Sequence, residues 1–500
     1  DVGRETSLPA STAPFEVLEG AADYHDVHAK VYLEGRGGSQ LSLFGYTGGD
    51  NTAQVAERRI RQPGAAAGQN ASANSEWGAR ATGVRYQSRV GAGFLSVVGG
   101  ITGYSGAYAN ESVIGVVRNN GNQAGQPMFR LDRFGNDNTL TQLRLAPELT
   151  LGRRGLWSVG TELNTYRSTY SESSRDRPGF SLDTEAVQWD VFSGYASPRE
   201  GIASYSLGIR SHYYSSGSYL RLSPRAHVTV GGEGLLSASF GFSRNHQFLH
   251  QIEVEPVQES APDVWILSSG TESPGKVDYF TAGLYLRPSP SVFVQGEVYL
   301  KEYANLRLHE TASPGLNSSL ARELTTPWLT NVDGSARGLE LMVRHRTGPV
   351  LWSHAYTLSR TVYTTPRLLD GREFFVSWDR RHQYVASASY SRGGFEANLS
   401  WAATSGSPNA LRFEDPTEAE RLPAYHRLDL GVSWERRVGS RTFTAGASIY
   451  NLYDRSNVWY RTLVPSQLSA QGADSLVDAT VPVDVYDLGI HPSFRVGVRF

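Results

Sequence analysis

The sequence predicts an all-β protein, a transmembrane antiparallel β-barrel with about nineteen strands in this chain. Three observations carry that prediction. The dominant hydrophobic period is two, the connections sort into a short set and a mostly long set, and the chain closes on the alternating stretch HPSFRVGVRF.

The period of two is plainest in four segments. Leu143, Leu145, Pro147, Leu149 and Leu151 alternate with Gln142, Arg144, Ala146, Glu148 and Thr150. Leu220, Leu222, Pro224, Ala226, Val228 and Val230 alternate with Tyr219, Arg221, Ser223, Arg225, His227 and Thr229. Phe395 to Ala403 and Phe443 to Ile449 repeat the pattern. Successive side chains of a strand point to opposite faces, so each segment has one apolar and one polar face. Strand centres fall near residues 29, 43, 82, 97, 145, 161, 190, 207, 225, 240, 282, 297, 341, 356, 387, 399, 429, 446 and 494. No segment carries a convincing helical period. Pro147 and Pro224 lack a ladder donor on otherwise regular strands and are expected to mark bulges.

The connections GRGGS, SRVGA, GRRG, SPREG, GGEG, RPSPS, RTGP, SRGG and RVGS are turn chemistry. Alternating with them are residues 49–75, 104–136, 247–275, 305–334, 362–380 and 454–487, read as long loops, and the brief SSGS at 215–218. Tight turns at one end and long loops at the other are the asymmetry of outer-membrane barrels. Closure also satisfies every backbone group in lipid without helices.

Composition narrows the class further. The chain has 52 glycines, 26 tyrosines, 19 phenylalanines and 10 tryptophans, with 39% hydrophobic residues, two methionines and no cysteine. A net charge of −2 with scattered basic residues argues against nucleic acid. No run reaches the roughly 18–20 apolar residues of a membrane helix. There is neither an initiating methionine nor a secretory leader at Asp1, so the chain reads as processed, trimmed or partial. Residues 1–21 read as an external loop segment and 22–500 as the barrel. First and last strands then run the same way, and an odd count is unexpected for a bacterial barrel. Strands missing upstream are the expectation.

No Gly-x-Ser-x-Gly elbow, Walker loop, His-Glu-x-x-His or dinucleotide fingerprint is present, so catalysis is not expected. Alternation puts Arg144, Glu148, Arg221, Arg225, Glu340, Arg344, Arg346 and Glu396 on the inner face, as general polarity, plug contact or a substrate path. Trp265, Trp328 and Trp378 are external-loop aromatics that would grip a ligand or anchor loops. His246 and His250, in HQFLH, have a metal-ligand spacing only on a helix, so structural or solvated roles are expected. Asp132, Asn136, Asp137 and Asn138, in DRFGNDN, offer hard oxygens for calcium in an external loop, but miss the EF-hand spacing. No other cofactor is expected. Phe494, Val496, Val498 and Phe500 are expected to face lipid, with Arg495 and Arg499 inside.

Several motifs carry a family resemblance. ASIYNLYDRSNVWY, with Asn451-Leu452-Tyr453-Asp454-Arg455, resembles the penultimate strand of TonB-dependent outer-membrane receptors. SARGLELMVRHRTGPVLWSHAYTLSRTVY is similar to a recurrent strand–turn–strand unit of that family. So is FFVSWDRRHQYVASASYS, in which Asp379-Arg380-Arg381-His382 opens a strand. NHQFLHQIEVEP, DVWILSSGTESPGKVDYFTAGLYLRP and YHDVHAKVYLEGRGGSQLSLFGY resemble the subgroup of Bacteroidota-like bacteria. The resemblance covers about residues 22–500 and implies a barrel of about twenty-two strands with a plugged lumen.

It also implies a Gram-negative outer-membrane location and energised uptake or surface binding of a nutrient. Nothing in the chain matches the plug. The plug and about three first strands are therefore expected on a second chain, or to have been removed or omitted. Implied partners are outer-membrane lipids, that second chain, TonB through the plug, and a surface lipoprotein. The terminal phenylalanine resembles the end recognised by barrel-assembly machinery. The alternatives are a scaffold barrel of an envelope complex and a passive porin-like channel.

Overall fold

In the computed structural model the described residues are almost wholly strand. It describes residues 16–499 apart from 63–64, 121–122, 125–127, 153–154, 175–176, 200, 233, 253–263, 271–272, 310–328, 367–370, 409–420 and 469–476. The first eight strands are β1 (Glu16–Glu34), β2 (Gln40–Gln62), β3 (Ala65–Val90), β4 (Gly93–Asn120), β5 (Gln123–Ala124), β6 (Met128–Gly152), β7 (Leu156–Ser174) and β8 (Arg177–Ala196). Next come β9 (Ala203–Tyr214), β10 (Tyr219–Val230), β11 (Leu236–Gln247), β12 (Leu249–Ile252), β13 (Val264–Leu267), β14 (Gly275–Ser289), β15 (Val292–His309), β16 (Leu329–Thr347) and β17 (Val350–Thr364). The last are β18 (Phe374–Phe375), β19 (His382–Arg392), β20 (Phe395–Thr404), β21 (Tyr425–Val438), β22 (Arg441–Tyr450), β23 (Val458–Leu468), β24 (Val477–Tyr486) and β25 (His491–Arg499).

Nineteen of these form one antiparallel wall, each paired with the next in chain order. The short β5 and β18 extend β4 and β17 at their tips. The pairs β12–β13 and β23–β24 are separate two-stranded sheets. The wall strands coincide with the nineteen centres read from the period of two. Among the described residues β1 pairs only with β2, and β25 only with β22. With every pairing antiparallel, these two edge strands run the same way.

Three expectations need correction. The segments 49–75 and 104–136 are largely strand: β2 and β3 stay in register from Gln40↔Gln87 up to Gln62↔Ala65, and β4 pairs with β6 as far as Val116↔Met128. Backbone pairing needs no amphipathic pattern, so the ladders continue through Gly, Ala, Asn and Ser after the apolar alternation stops. β1 begins at Glu16, inside the segment read as loop. Neither proline marks a bulge. The β6–β7 ladder skips Pro147 without changing register, and the β10–β11 ladder stops at Arg225, beside Pro224. Each proline costs ladder bonds, not an inserted residue.

The two faces of the wall differ as the alternation requires. Leu143, Leu145, Leu207, Ile209, Leu220, Leu222, Val298 and Leu341 stand on one face and are each more than two-fifths exposed. So continuous an apolar surface needs a non-aqueous neighbour. Trp157, Tyr205, Trp352, Phe395, Trp434 and Phe443 lie on it within a few residues of the tight turns, where an aromatic girdle meets the bilayer interface. Phe494 and Val496 continue this face on β25, while Arg495 and Arg499 take the alternate positions. Phe500 lies outside the described residues.

Candidate functional site

The polar face of β6–β11 carries a continuous chain of charged and hydrogen-bonded side chains. Gln188 and Asp190 reach that face because Val187, Trp189 and Val191 occupy the apolar one. Register then sets Glu162 opposite Asp190, and Asp190 opposite His212. Arg144 Nε lies 3.0 Å from Glu162 Oε1. Arg210 bridges Glu162 and Asp190 at 3.4 and 3.1 Å. Asp190 Oδ1 meets His212 Nδ1 at 2.9 Å, His212 Nε2 meets Ser223 Oγ at 2.9 Å, and Ser223 Oγ meets His246 Nδ1 at 3.0 Å.

Asp190, His212 and Ser223 are ordered like the relay of a serine hydrolase. The rest of that chemistry does not follow. Ser223 is 8% exposed and shares its hydroxyl with a second imidazole. The next residue, Pro224, has no N–H to offer an oxyanion. The chain of bonds instead satisfies polar groups that the wall buries.

Above this network the hairpin β12–β13 packs against the same face of the wall. Ile252, Val264 and Ile266 cluster with Tyr170 and Leu182, while Phe248 and Leu267 cluster with Ala186 and Tyr214. Asn138 fixes the hairpin by its backbone: Trp265 N–H donates to Oδ1 at 2.8 Å, and Nδ2 donates to the Trp265 carbonyl at 2.9 Å. Nδ2 also donates to the Thr169 carbonyl at 2.9 Å, and Ser168 Oγ to the Trp265 carbonyl at 2.8 Å. Tyr170 donates to Glu172 at 2.5 Å. With Val264 and Ile266 turned to the wall, alternation turns Trp265 and its cross-strand partner Gln251 away from it.

Replacing Asn138 by alanine removes three buried hydrogen bonds, a local loss of about 2–4 kcal/mol. Amide exchange at residues 264–267 should then rise more than tenfold while that of β15 stays unchanged. Unchanged exchange at 264–267 would refute the docking role. The hairpin should also loosen in acid. Burial, then the Arg307 charge, lower His250 to about 4, and its Nε2 sits 2.9 Å from Ser268 Oγ. The folded state binds fewer protons than the unfolded one between that value and about 6.5, so docking is fully stable above this window and weakens through it as pH falls. At pH 5 the penalty is about 2 kcal/mol. Proteolytic nicking of the hairpin at pH 5 but not pH 7.5, abolished in His250→Gln, is the expected result. Equal protection at both values would contradict it.

The predicted site residues do not form one cluster. Arg144 joins the network, whereas Glu148 sits between Ser96 and Gly160 in register. Arg221 lies over the Tyr219 ring at 4.9 Å, and Arg225 packs against Gly208. Glu340 faces Glu297 directly across β15–β16. Arg344 and Arg346 are exposed lower on β16. Glu396 and Arg495 line a groove of about 560 Å³ floored by Gly431, Ser433, Gly446 and Ser448. Trp378 is 54% exposed and meets Tyr363 edge-on at 6.0 Å; Trp328 lies outside the described residues.

The external-loop placement of the weak calcium candidates is corrected. DRFGNDN lies within β6, not in a loop, so Asp137 alternates away from Asn136 and Asn138, and Asn138 is committed to Trp265. The Asp132 side chain is outside the description. No group of three or more acidic or histidine ligands occurs among the described residues. Sequence reasoning missed Glu162, Asp190, Arg210 and His212, although the phase of Val187, Trp189 and Val191 marks the Asp190 face.

An antiparallel wall with tight turns at one end, an apolar band and aromatic strand ends defines an outer-membrane β-barrel. The family model for TonB dependent receptor-like β-barrels matches residues 22–452, and the chain belongs to that family. No curated protein sequence matches the chain significantly. A mutant of the ferric enterobactin receptor PfeA from Pseudomonas aeruginosa shares the fold, with a TM-score of 0.51 and 12% identity over 96% of this chain and 80% of that one. The unliganded ferric citrate transporter FecA gives a TM-score of 0.52 and 10% identity over 96% of this chain and 75% of that one. Receptors of this family lie in the Gram-negative outer membrane, work with TonB and take up nutrients; the chain is a receptor barrel, not an enzyme.

Proposed function

We propose that the polar face of the wall lines the passage of an energised receptor whose ligand is a ferric chelate, captured where Trp265 and Trp378 stand and released inward when a plug rearranges. The ring is completed by an odd number of further strands, about three for a twenty-two-stranded barrel, carried with the plug on a removed or omitted upstream segment or on another chain. The ligand class is that of the receptors sharing the fold, PfeA and FecA. The completion of the ring rests on the pair of edges, since β1 and β25 run the same way and, among the described residues, each is paired on one side only, so they do not close antiparallel on each other. The groove floored by Gly431, Ser433, Gly446 and Ser448 supports it, since small side chains leave room for a body inside the wall.

Two measurements test the reading. Deleting the coding sequence should abolish growth on ferric citrate or ferric enterobactin as sole iron source, and collapsing the proton gradient should stop uptake in the wild type. Growth unaffected on both chelates would overturn the ligand class. Mass spectrometry of the purified outer-membrane complex should find a plug-bearing precursor or partner, and finding none would overturn the completion of the ring.

A further inference from the structure

The apolar face of β16 and β17 ends in two arginines set directly opposite one another. Arg337 pairs with Arg360 in a ladder without register shifts, immediately above the pair Leu339 and Leu358. On its other side Arg337 faces Leu300 of β15, and Val298 faces Leu339. Val298, Leu300, Leu341 and Leu358 are exposed members of the apolar band, so alternation places both guanidiniums on that face. Each stands ten residues from its end of the tight turn between Thr347 and Val350. At about 3.3 Å per residue and a tilt of about 40°, that is roughly 25 Å above the turn, the height of the apolar band. They therefore lie at the outer headgroup level.

Like charges directly opposite in a ladder repel, and the protein compensates only in part. Arg360 donates to Glu373 Oε2 at 2.5 Å. Arg337 is exposed and makes no hydrogen bond or ion pair with the described residues. Arg360, Arg381 and Arg421 surround the Phe375 ring at 5.6, 5.4 and 5.2 Å, and Asp379 pairs with Arg421. Four guanidiniums thus outnumber the carboxylates Glu373, Asp379 and Glu302, the last set diagonally from Arg337 on the same face.

We propose that Arg337 and Arg360 bind the phosphate of an outer-leaflet lipid headgroup, whose acyl chains descend over Val298, Leu339, Leu341 and Leu358. Guanidiniums bind phosphate oxygens in bidentate geometry, and a dianion between the two removes their repulsion. This site is on the lipid side of the wall and is independent of the transported ligand.

The test uses the full chain in detergent micelles with short-chain phosphatidic acid as the probe, read by native mass spectrometry. Diacylglycerol of the same chain length and inorganic phosphate alone are the comparison arms. Wild type should retain phosphatidic acid at least fivefold more than diacylglycerol, and inorganic phosphate alone should not compete at equal concentration. Arg337→Gln with Arg360→Gln should fall to the diacylglycerol level, whereas Glu373→Gln, which removes the competing carboxylate, should bind two- to threefold more. Undiminished retention in the double variant, equal retention of diacylglycerol, or competition by inorganic phosphate would overturn the proposal. So would an equal loss in Arg133→Gln, which removes a charge far away on β6.

Discussion

Asp379→Ala should destabilise the barrel by about 3–5 kcal/mol, the cost of leaving a partner charge without its buried counter-ion. The Asp379 side chain is fully buried, accepts the Thr361 N–H at 2.7 Å and holds the Arg421 guanidinium. Arg421 in turn donates to the carbonyls of Asp379 and Gly406 at 2.7 and 3.0 Å. One carboxylate thus ties the top of β17 to the entry of β19 and the exit of β20. Asp379→Asn keeps an acceptor for Thr361 but loses the charge, and should lose less. The measurement is the temperature at which the heat-modifiable folded band disappears on a denaturing gel. An unchanged temperature for Asp379→Ala would show that the clasp holds nothing.

Asn451→Ala should cost about 4 kcal/mol through two separable causes. Asn451 is fully buried at φ 51°, a left-handed conformation that asparagine tolerates and alanine resists. Its Nδ2 donates to the carbonyls of Arg455 and Leu488 at 2.9 and 3.1 Å, and its Oδ1 accepts the Arg455 N–H at 3.1 Å. The hydrogen bonds account for about 3 kcal/mol and the backbone for about 1 kcal/mol. Asn451→Gly relieves only the backbone cost, so its melting temperature should fall between those of wild type and alanine. Equal losses for glycine and alanine would show that φ contributes nothing.

Both residues belong to motifs that carried the family resemblance, and the structure gives each motif a physical role. Asp379-Arg380-Arg381-His382 and Asn451-Leu452-Tyr453-Asp454-Arg455 are places where the chain leaves or enters the wall and its backbone groups need side-chain partners. The nineteen strand positions were legible because a wall between lipid and a polar interior imposes a period of two. Beyond the apolar band that constraint lapses. The ladder through Gly48, Gly49, Gly78 and Ala79 is as regular as any other yet carries no pattern.

The docked hairpin was illegible for a different reason. VWIL is a short apolar run, and nothing local ties Trp265 to Asn138, 127 residues earlier. The polar network was half legible. Arg144 follows from the phase of its own strand, but its partner Glu162 and the further network members Asp190 and Arg210 come from three other strands whose register the sequence does not state.

The central claim is that the polar face lines an aqueous passage while the apolar face meets lipid. Because the chain has no native cysteine, single substitutions test this residue by residue in outer-membrane vesicles. Gln142→Cys, Arg144→Cys and Arg495→Cys should react with a membrane-impermeant maleimide once the barrel is opened by mild denaturant. Leu143→Cys, Leu145→Cys and Val496→Cys should stay unreactive, and a fluorophore carried there should be quenched by brominated lipid. Reactivity without alternation, or alternation in the opposite phase, would contradict the account.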